Sequence, residues 1–233
     1  MTSGHTLLKL LTSQSLIEMS APTPIRQRRK DARPNELLDA AMALFVEKGF
    51  AATRSEEVAA RAGVSKGTLY LYFPSKEELL KAVIRHTLMA DIARGAERVA
   101  QEDGPTGALL LELMTEWWVT VYESPSSAIF KLVMTEVRNF PEIGDFYLHE
   151  VIEPGHRLIG SLVQRGIDRG EFRPVDVDGV VHSIVLPMVM LCLHKHSMGA
   201  CGFADSHLTR PAEFIRHHLD LVLNGLRARP ETA

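Results

Sequence analysis

The sequence predicts an all-α protein with a small basic front and a larger acidic body, and three observations carry that reading. No window alternates apolar and polar residues over strand length, whereas apolar residues recur at helical spacing along most of the chain. Helix-start signals, a Ser or Thr followed three residues later by Glu, stand before two of those runs. Charge is unevenly spread: residues 1–90 carry 13 Lys/Arg against 9 Asp/Glu, residues 91–233 carry 13 against 20, and the whole chain is −3. That split points to an anionic partner for the front alone.

Residues 1–25 read as a disordered extension. Their apolar run is broken too early for a signal peptide, and Met19 is an alternative start that leaves only a short basic arm. Arg26 to Lys30 and Arg33 supply that arm. Pro34 suits a first helical turn, and Leu37, Leu38, Ala41, Leu44 and Phe45 keep helical spacing up to a stop at Gly49. Thr53 to Glu56 has the form of a capping box for a short helix, Glu56 to Ala62, ended by Gly63. Ser65 caps a third short helix that stops at Phe73, because Pro74 cannot continue it. Ser75 to Glu78 is a second capping box, opening a long helix to about Gly104. Five further helical segments follow: 108–122, 125–139 with Ser124 as cap, 141–169 bent at Pro154 and Gly155, 176–198 and 209–226. The count is about nine helices.

Nothing approaches 18 consecutive apolar residues, so no membrane span is expected. Two cysteines, Cys192 and Cys201, exclude a disulfide scaffold and a four-thiolate metal site, and both read as buried thiols. His194 and His196, and His217 and His218, lack the i, i+4 spacing of helical metal ligands and read as structural. No nucleophile elbow, phosphate-cradling glycine loop or HExxH occurs, so no catalytic residue, metal or cofactor is expected.

The second and third helices with their turn have the helix-turn-helix pattern. Ala59 is small where the next helix crosses, and Gly63, four residues on, supplies a positive φ at the reversal. Val58, Val64, Leu69 and Phe73 lock the pair against the first helix. Ser65, Lys66, Gly67, Thr68, Tyr70 and Tyr72 remain on the open face, the residue types a helix needs among phosphates and base edges in a major groove.

The segments LLDAAMALFVEKGF (37–50), EVAARAGVS (57–65) and KGTLYLYFPSKEEL (66–79), with Thr53 between them, resemble the TetR/AcrR family of bacterial transcription regulators. The match spans nearly fifty residues, about a fifth of the chain, and departs at Leu71, where the family often has an aromatic residue. The resemblance implies a helix-turn-helix DNA-binding domain (26–80) and an effector-binding and dimerisation domain (81–233). It implies operator contacts at Thr53, Arg54, Ser55, Ser65, Lys66, Gly67, Thr68, Tyr70 and Tyr72, and a phosphate contact at Lys76. Arg54 is the best candidate for a bidentate guanine contact.

The expected partners are double-stranded operator DNA, a second copy of the chain joined through residues 176–198 and 209–226, and a small, largely apolar effector. No membrane partner is expected, and the resemblance implies a cytoplasmic, bacterial location. Trp117, Trp118, Phe130, Met134, Phe146, Tyr147, Met188 and Met190, with His182 and Glu116 as polar fixers, are the candidate effector contacts. The leading function is a repressor released by its effector through the helix Lys76–Glu102. The alternatives are an activator or effector-independent binder of the same fold and, more distantly, a helical enzyme with a DNA-targeting module.

Overall fold

The computed structural model describes residues 25–202 and 210–228, and the expectations for residues 1–24 and for Thr209 lie outside them. The described residues are helical throughout, joined by short turns, with one isolated bridge between Phe172 and Arg227. The helices are α1 (Ile25–Lys48), α2 (Ser55–Arg61), α3 (Lys66–Tyr72), α4 (Lys76–Ile84), α5 (Ala90–Gln101), α6 (Thr106–Glu123), α7 (Ser127–Glu136), α8 (Pro141–Tyr147), α9 (Glu153–Asp168), α10 (Val177–Lys195) and α11 (Pro211–Leu226). A π-helical turn, Arg85–Met89, joins α4 to α5, and a second, Leu148–Ile152, joins α8 to α9. With those two junctions counted as continuous, the described chain has the nine helices expected.

Helix α1 begins at Ile25, earlier than the expected start at Pro34, and carries Pro34 inside it. A compact unit begins at Pro34 and takes in the described residues from there on. Within it, the starts of α3, α4 and α10 are fixed by side-chain caps. The Ser65, Ser75 and Asp176 oxygens accept from the N–H groups of Thr68, Glu78 and Gly179, each at 3.1 Å. The expected box at Thr53 is displaced by one residue. The Thr53 hydroxyl turns back to the Gly49 carbonyl (2.7 Å), so α2 opens at Arg54, whose N–H donates to the Glu57 carboxylate at 3.1 Å. The irregularity expected at Pro154 falls one turn earlier, in the π turn Leu148–Ile152. Pro154 has no N–H to give the preceding turn, and the wider turn absorbs the mismatch.

The larger part of the core lies among α6, α7, α9, α10 and α11, around Leu110, Trp118, Ile129, Leu162, Ile184, Met188 and Leu219. By length and composition alone the stretch Val177–Cys201 could cross a membrane; 33% of its apolar window is buried, and α10 packs against α7, α9 and α11. Val180, Val181, Ile184, Met188 and Leu191, inside the stretch 176–198 expected to join a second copy, are buried in this chain's own core. Cys192 is buried as expected, whereas Cys201 is exposed beyond the end of α10.

The segment between α9 and α10 stitches the bundle at one end. The Glu171 carboxylate accepts from the N–H groups of Thr106 (2.9 Å) and Gly107 (3.0 Å), capping α6 from a distant part of the chain. Burial raises the Glu171 pKa, but those hydrogen bonds outweigh it and hold the carboxyl below the usual range. Phe172 then folds onto Gly166, where an added Cβ would lie 2.2 Å from a ring carbon. Gly166→Ala therefore overpacks this seam and should lower stability by about 1–3 kcal/mol in urea unfolding, with the helical signal at low urea unchanged.

Candidate nucleic-acid interface and effector cavity

Three helices place the surface that faces outward from α3. Gly63 adopts φ +67°, and the Val64 N–H returns to the Ala59 carbonyl at 2.9 Å, which closes the turn between α2 and α3. Val58, Ala59, Leu69 and Phe45 are buried beneath it. Around the rim, Lys48 pairs with Glu57 (2.7 Å), Arg61 takes both carboxylate oxygens of Glu47 (2.6 and 3.0 Å), and Lys66 pairs with Glu56. Hydrogen bonds from those cations hold the three carboxyls below the usual range. These pairs are exposed, so they orient the helices more than they stabilise them, and salt weakens them.

The ten residues expected at DNA divide into two sets. Arg54, Ser65, Lys66, Gly67, Tyr70 and the partly buried Thr68 and Tyr72 lie on the outer surface. Lys66 is held between Glu56 and the Tyr70 ring, 5.7 Å from its centroid. Thr53, Ser55 and Lys76 differ from the expectation. Thr53 and Ser55 are buried, and the Thr53 hydroxyl is already bonded within the α1–α2 loop. The Lys76 ammonium donates to the carbonyls of Phe50 (2.8 Å), Thr53 (3.1 Å) and Ala51 (3.2 Å) and sits 4.5 Å from the centre of the Phe50 ring. Its three hydrogens are committed to the protein, so it shapes the loop in place of a free phosphate contact.

From that anchor the path runs to the bundle. Phe50 is fully buried and meets Phe140 edge to face at 5.0 Å, just before α8. Immediately after α4, the Arg85 guanidinium lies 4.6 Å from the Phe146 ring. The two π turns, Arg85–Met89 and Leu148–Ile152, pack against each other at this level. Immediately past them opens a cavity of about 760 Å³.

Its walls are mainly apolar. Trp117, Trp118, Phe130, Met134, Tyr147, His182 and Glu116 line it, as the sequence suggested. Phe146, Met188 and Met190 do not. Phe146 packs under α4, Met188 is fully buried in the core, and Met190 faces outward. Helical spacing identified them as apolar, but only the packing shows which side of the wall each occupies.

The sequence reading missed Asp91, Arg94, Gly95, Arg98 and His156, which also line the cavity. Gly95 had a legible signal, a glycine inside an amphipathic helix; here Leu158 comes within 3.1 Å of where its Cβ would be. Arg94 pairs with Asp91, whose carboxyl burial pushes up, with Arg94 opposing. Arg98 is shared by Glu102 (2.6 Å), Glu112 (3.0 Å) and Glu116 (2.8 Å). The rings of His156 and His182 meet edge to face at 4.7 Å, and burial followed by the His182 charge holds His156 below the usual imidazole range. The Trp118 indole N–H is buried without a hydrogen-bond partner. Among the described residues no group of three or more His, Cys, Asp or Glu is placed to hold a metal ion.

Comparison with known proteins gives concordant likenesses. The profile described as bacterial regulatory proteins, tetR family, matches residues 37–83, and one described as tetracyclin repressor-like, C-terminal domain, matches residues 100–209. The HTH-type transcriptional repressor KstR2 of Rhodococcus jostii is 30% identical over 210 residues, 89% of this chain and 98% of the relative. The uncharacterised HTH-type transcriptional regulator YfiR of Bacillus subtilis is 30% identical over 166 residues, 70% of this chain and 80% of the relative. Among solved structures, the regulator FadR of Bacillus subtilis in complex with stearoyl-CoA superimposes with a TM-score of 0.68 at 20% identity. That match covers 83% of this chain and 99% of FadR.

Two measurements check the geometry. Lys76→Met leaves three converging carbonyls without their shared donor and should lower stability by about 1–3 kcal/mol in thermal or urea unfolding. Burial pushes the Cys192 thiol up to about 12, so the native protein should react with a thiol reagent at Cys201 alone, and the unfolded protein at both cysteines.

Proposed function

This chain belongs to the TetR family of bacterial regulatory proteins, and from that premise we propose that it represses transcription by holding a palindromic operator until an effector enters its cavity. The observation that carries the reading is one continuous helical run, Lys76 to Gln101. Its first residue is tied into the helix-turn-helix, and Asp91, Ile92, Arg94, Gly95 and Arg98 near its far end line the cavity. Residues 26–80 serve as the DNA-binding domain, and residues 81–233 as the effector-binding and dimerisation domain.

On the DNA side, Arg54, Ser65, Lys66, Thr68, Tyr70 and Tyr72 supply phosphate and base contacts, with Thr53, Ser55 and Lys76 holding the surface in shape. On the effector side, a largely apolar cavity of this volume suits an acyl chain or a fused-ring skeleton. The stearoyl-CoA held by the FadR structure supports an acyl thioester as the first class to test. Two copies are needed to read a palindrome. Met190 on α10 and Leu221 on α11, both more than half exposed, with partly buried Phe214 and Val222 beside them, support a two-fold pairing of these helices. The two recognition helices would then address half-sites ~34–36 Å apart.

The effector reaches the DNA through the packed π turns and the Phe50–Phe140 and Arg85–Phe146 contacts. A ligand that favours one setting of those turns over another changes operator affinity, and operator must change ligand affinity by the same factor. Binding to genomic fragments should be sequence-selective, fall steeply with added salt, and weaken in Tyr70→Phe. Stearoyl-CoA or a related acyl thioester should release the operator, and free coenzyme A should not. A folded dimer with no selective binding, or operator and ligand binding without mutual effect, would contradict this function.

A further inference from the structure

The outermost line of the recognition helix carries no hydrogen-bonding side chain. Leu69 is the fully buried residue of α3 and marks its inward side. At about 100° per residue, Gly67 and Leu71 both lie roughly opposite Leu69, and as i, i+4 neighbours they form one continuous crest. Leu71 is 85% exposed, the most exposed of the large apolar side chains among the described residues. Gly67 is not required by the fold, since its φ is ordinary and an added Cβ would meet only the Ser65 hydroxyl, at 3.8 Å.

The polar side chains of α3 stand beside the crest and not on it. The Ser65 hydroxyl caps α3 and also hydrogen-bonds the Thr68 hydroxyl at 2.9 Å, and Lys66 is paired with Glu56. Tyr70 is exposed on one flank and Tyr72 half-buried on the other. The part of the helix that would reach deepest into a major groove therefore offers a gap at Gly67 and an isobutyl group at Leu71. In that groove only thymine presents an apolar group, its C5-methyl.

We infer that Gly67 and Leu71 form an apolar reading edge for thymine methyl groups, with Gly67 allowing close approach and Leu71 touching the methyl. Leu71 is then a specificity-determining residue, at a position where resemblance alone suggested none. The inference rests on the operator-binding reading above and adds which base the helix selects and by what chemistry.

The test uses a duplex selected by the full-length protein from a randomised library, synthesised with thymine or with uracil at every thymine position. Uracil keeps the Watson–Crick face and removes only the methyl. Binding of the unaltered protein should weaken about fourfold for each thymine methyl that Leu71 buries. Leu71→Ala should bind the thymine duplex more weakly and be insensitive to the exchange. Gly67→Ala should be at least as stable as the parent, because alanine favours helix, yet bind the thymine duplex more weakly. Equal affinity for the thymine and uracil duplexes, or a uracil penalty that persists in Leu71→Ala, overturns the inference while leaving operator binding intact. Failure to select any duplex overturns the operator-binding reading, and this inference with it.

Discussion

Three carbonyls in the loop between α1 and α2 converge on one point, and the ammonium of Lys76 occupies it. Much of the molecule's organisation depends on that contact. It fixes the loop from which Arg54 starts α2, and so sets how α2 and α3 present their outer surface. Because Lys76 is also the first residue of α4, the same contact joins that surface to the start of the long helix. The Phe50 ring beneath the ammonium, and its edge-to-face contact with Phe140, extend the anchor into the bundle. A charged donor in a half-buried site is firmly held when all its hydrogens are satisfied, as here.

Between anchor and cavity the helix is deliberately imperfect. The π turn at Arg85–Met89 leaves the regular i to i−4 ladder, and the Thr87 hydroxyl donates to the Val83 carbonyl at 2.9 Å. Its neighbour at Leu148–Ile152 does the same on the facing helix. Such turns recur at functional positions. These two pack against each other, with Val151 and Ile152 of the second turn lining the cavity and Ile92 just past the first, which puts this irregular backbone at the cavity walls. Among the acidic and Lys/Arg residues lining those walls, Asp91 pairs with Arg94 and Glu116 with Arg98, which leaves the four in balance, consistent with an apolar occupant.

Much of this was legible from residue order, for local reasons. Ser65, Ser75 and Asp176 announce their helices because a cap acts within one turn, and Gly63 announces its turn because only glycine takes that φ readily. The helix-turn-helix was legible in detail because its turn and packing residues lie close together in the chain. The role of Lys76 was not, since whether its ammonium faces DNA or the chain's own carbonyls depends on residues some 25 positions apart meeting in space, and that of Thr53 was not, since its hydroxyl turns back to the Gly49 carbonyl instead of forward to its helix. The cavity was half legible. Period 3.6 separates inward from outward, which picked out Trp117, Trp118 and Phe130. It could not separate a cavity wall from solid core, so Met188 and Phe146 were misplaced and His156 was passed over.

Coupling between the DNA surface and the cavity walls through the Lys76–Gln101 run is the central claim, and amide hydrogen exchange tests it without knowledge of the effector. Exchange would be followed in the full-length protein with and without a selected operator duplex. Coupling predicts altered protection at residues 85–95 and 148–156, around the π turns and the cavity wall, in addition to protection at residues 53–76. Protection confined to residues 53–76, with the π turns and the wall unchanged at saturating operator, would contradict it.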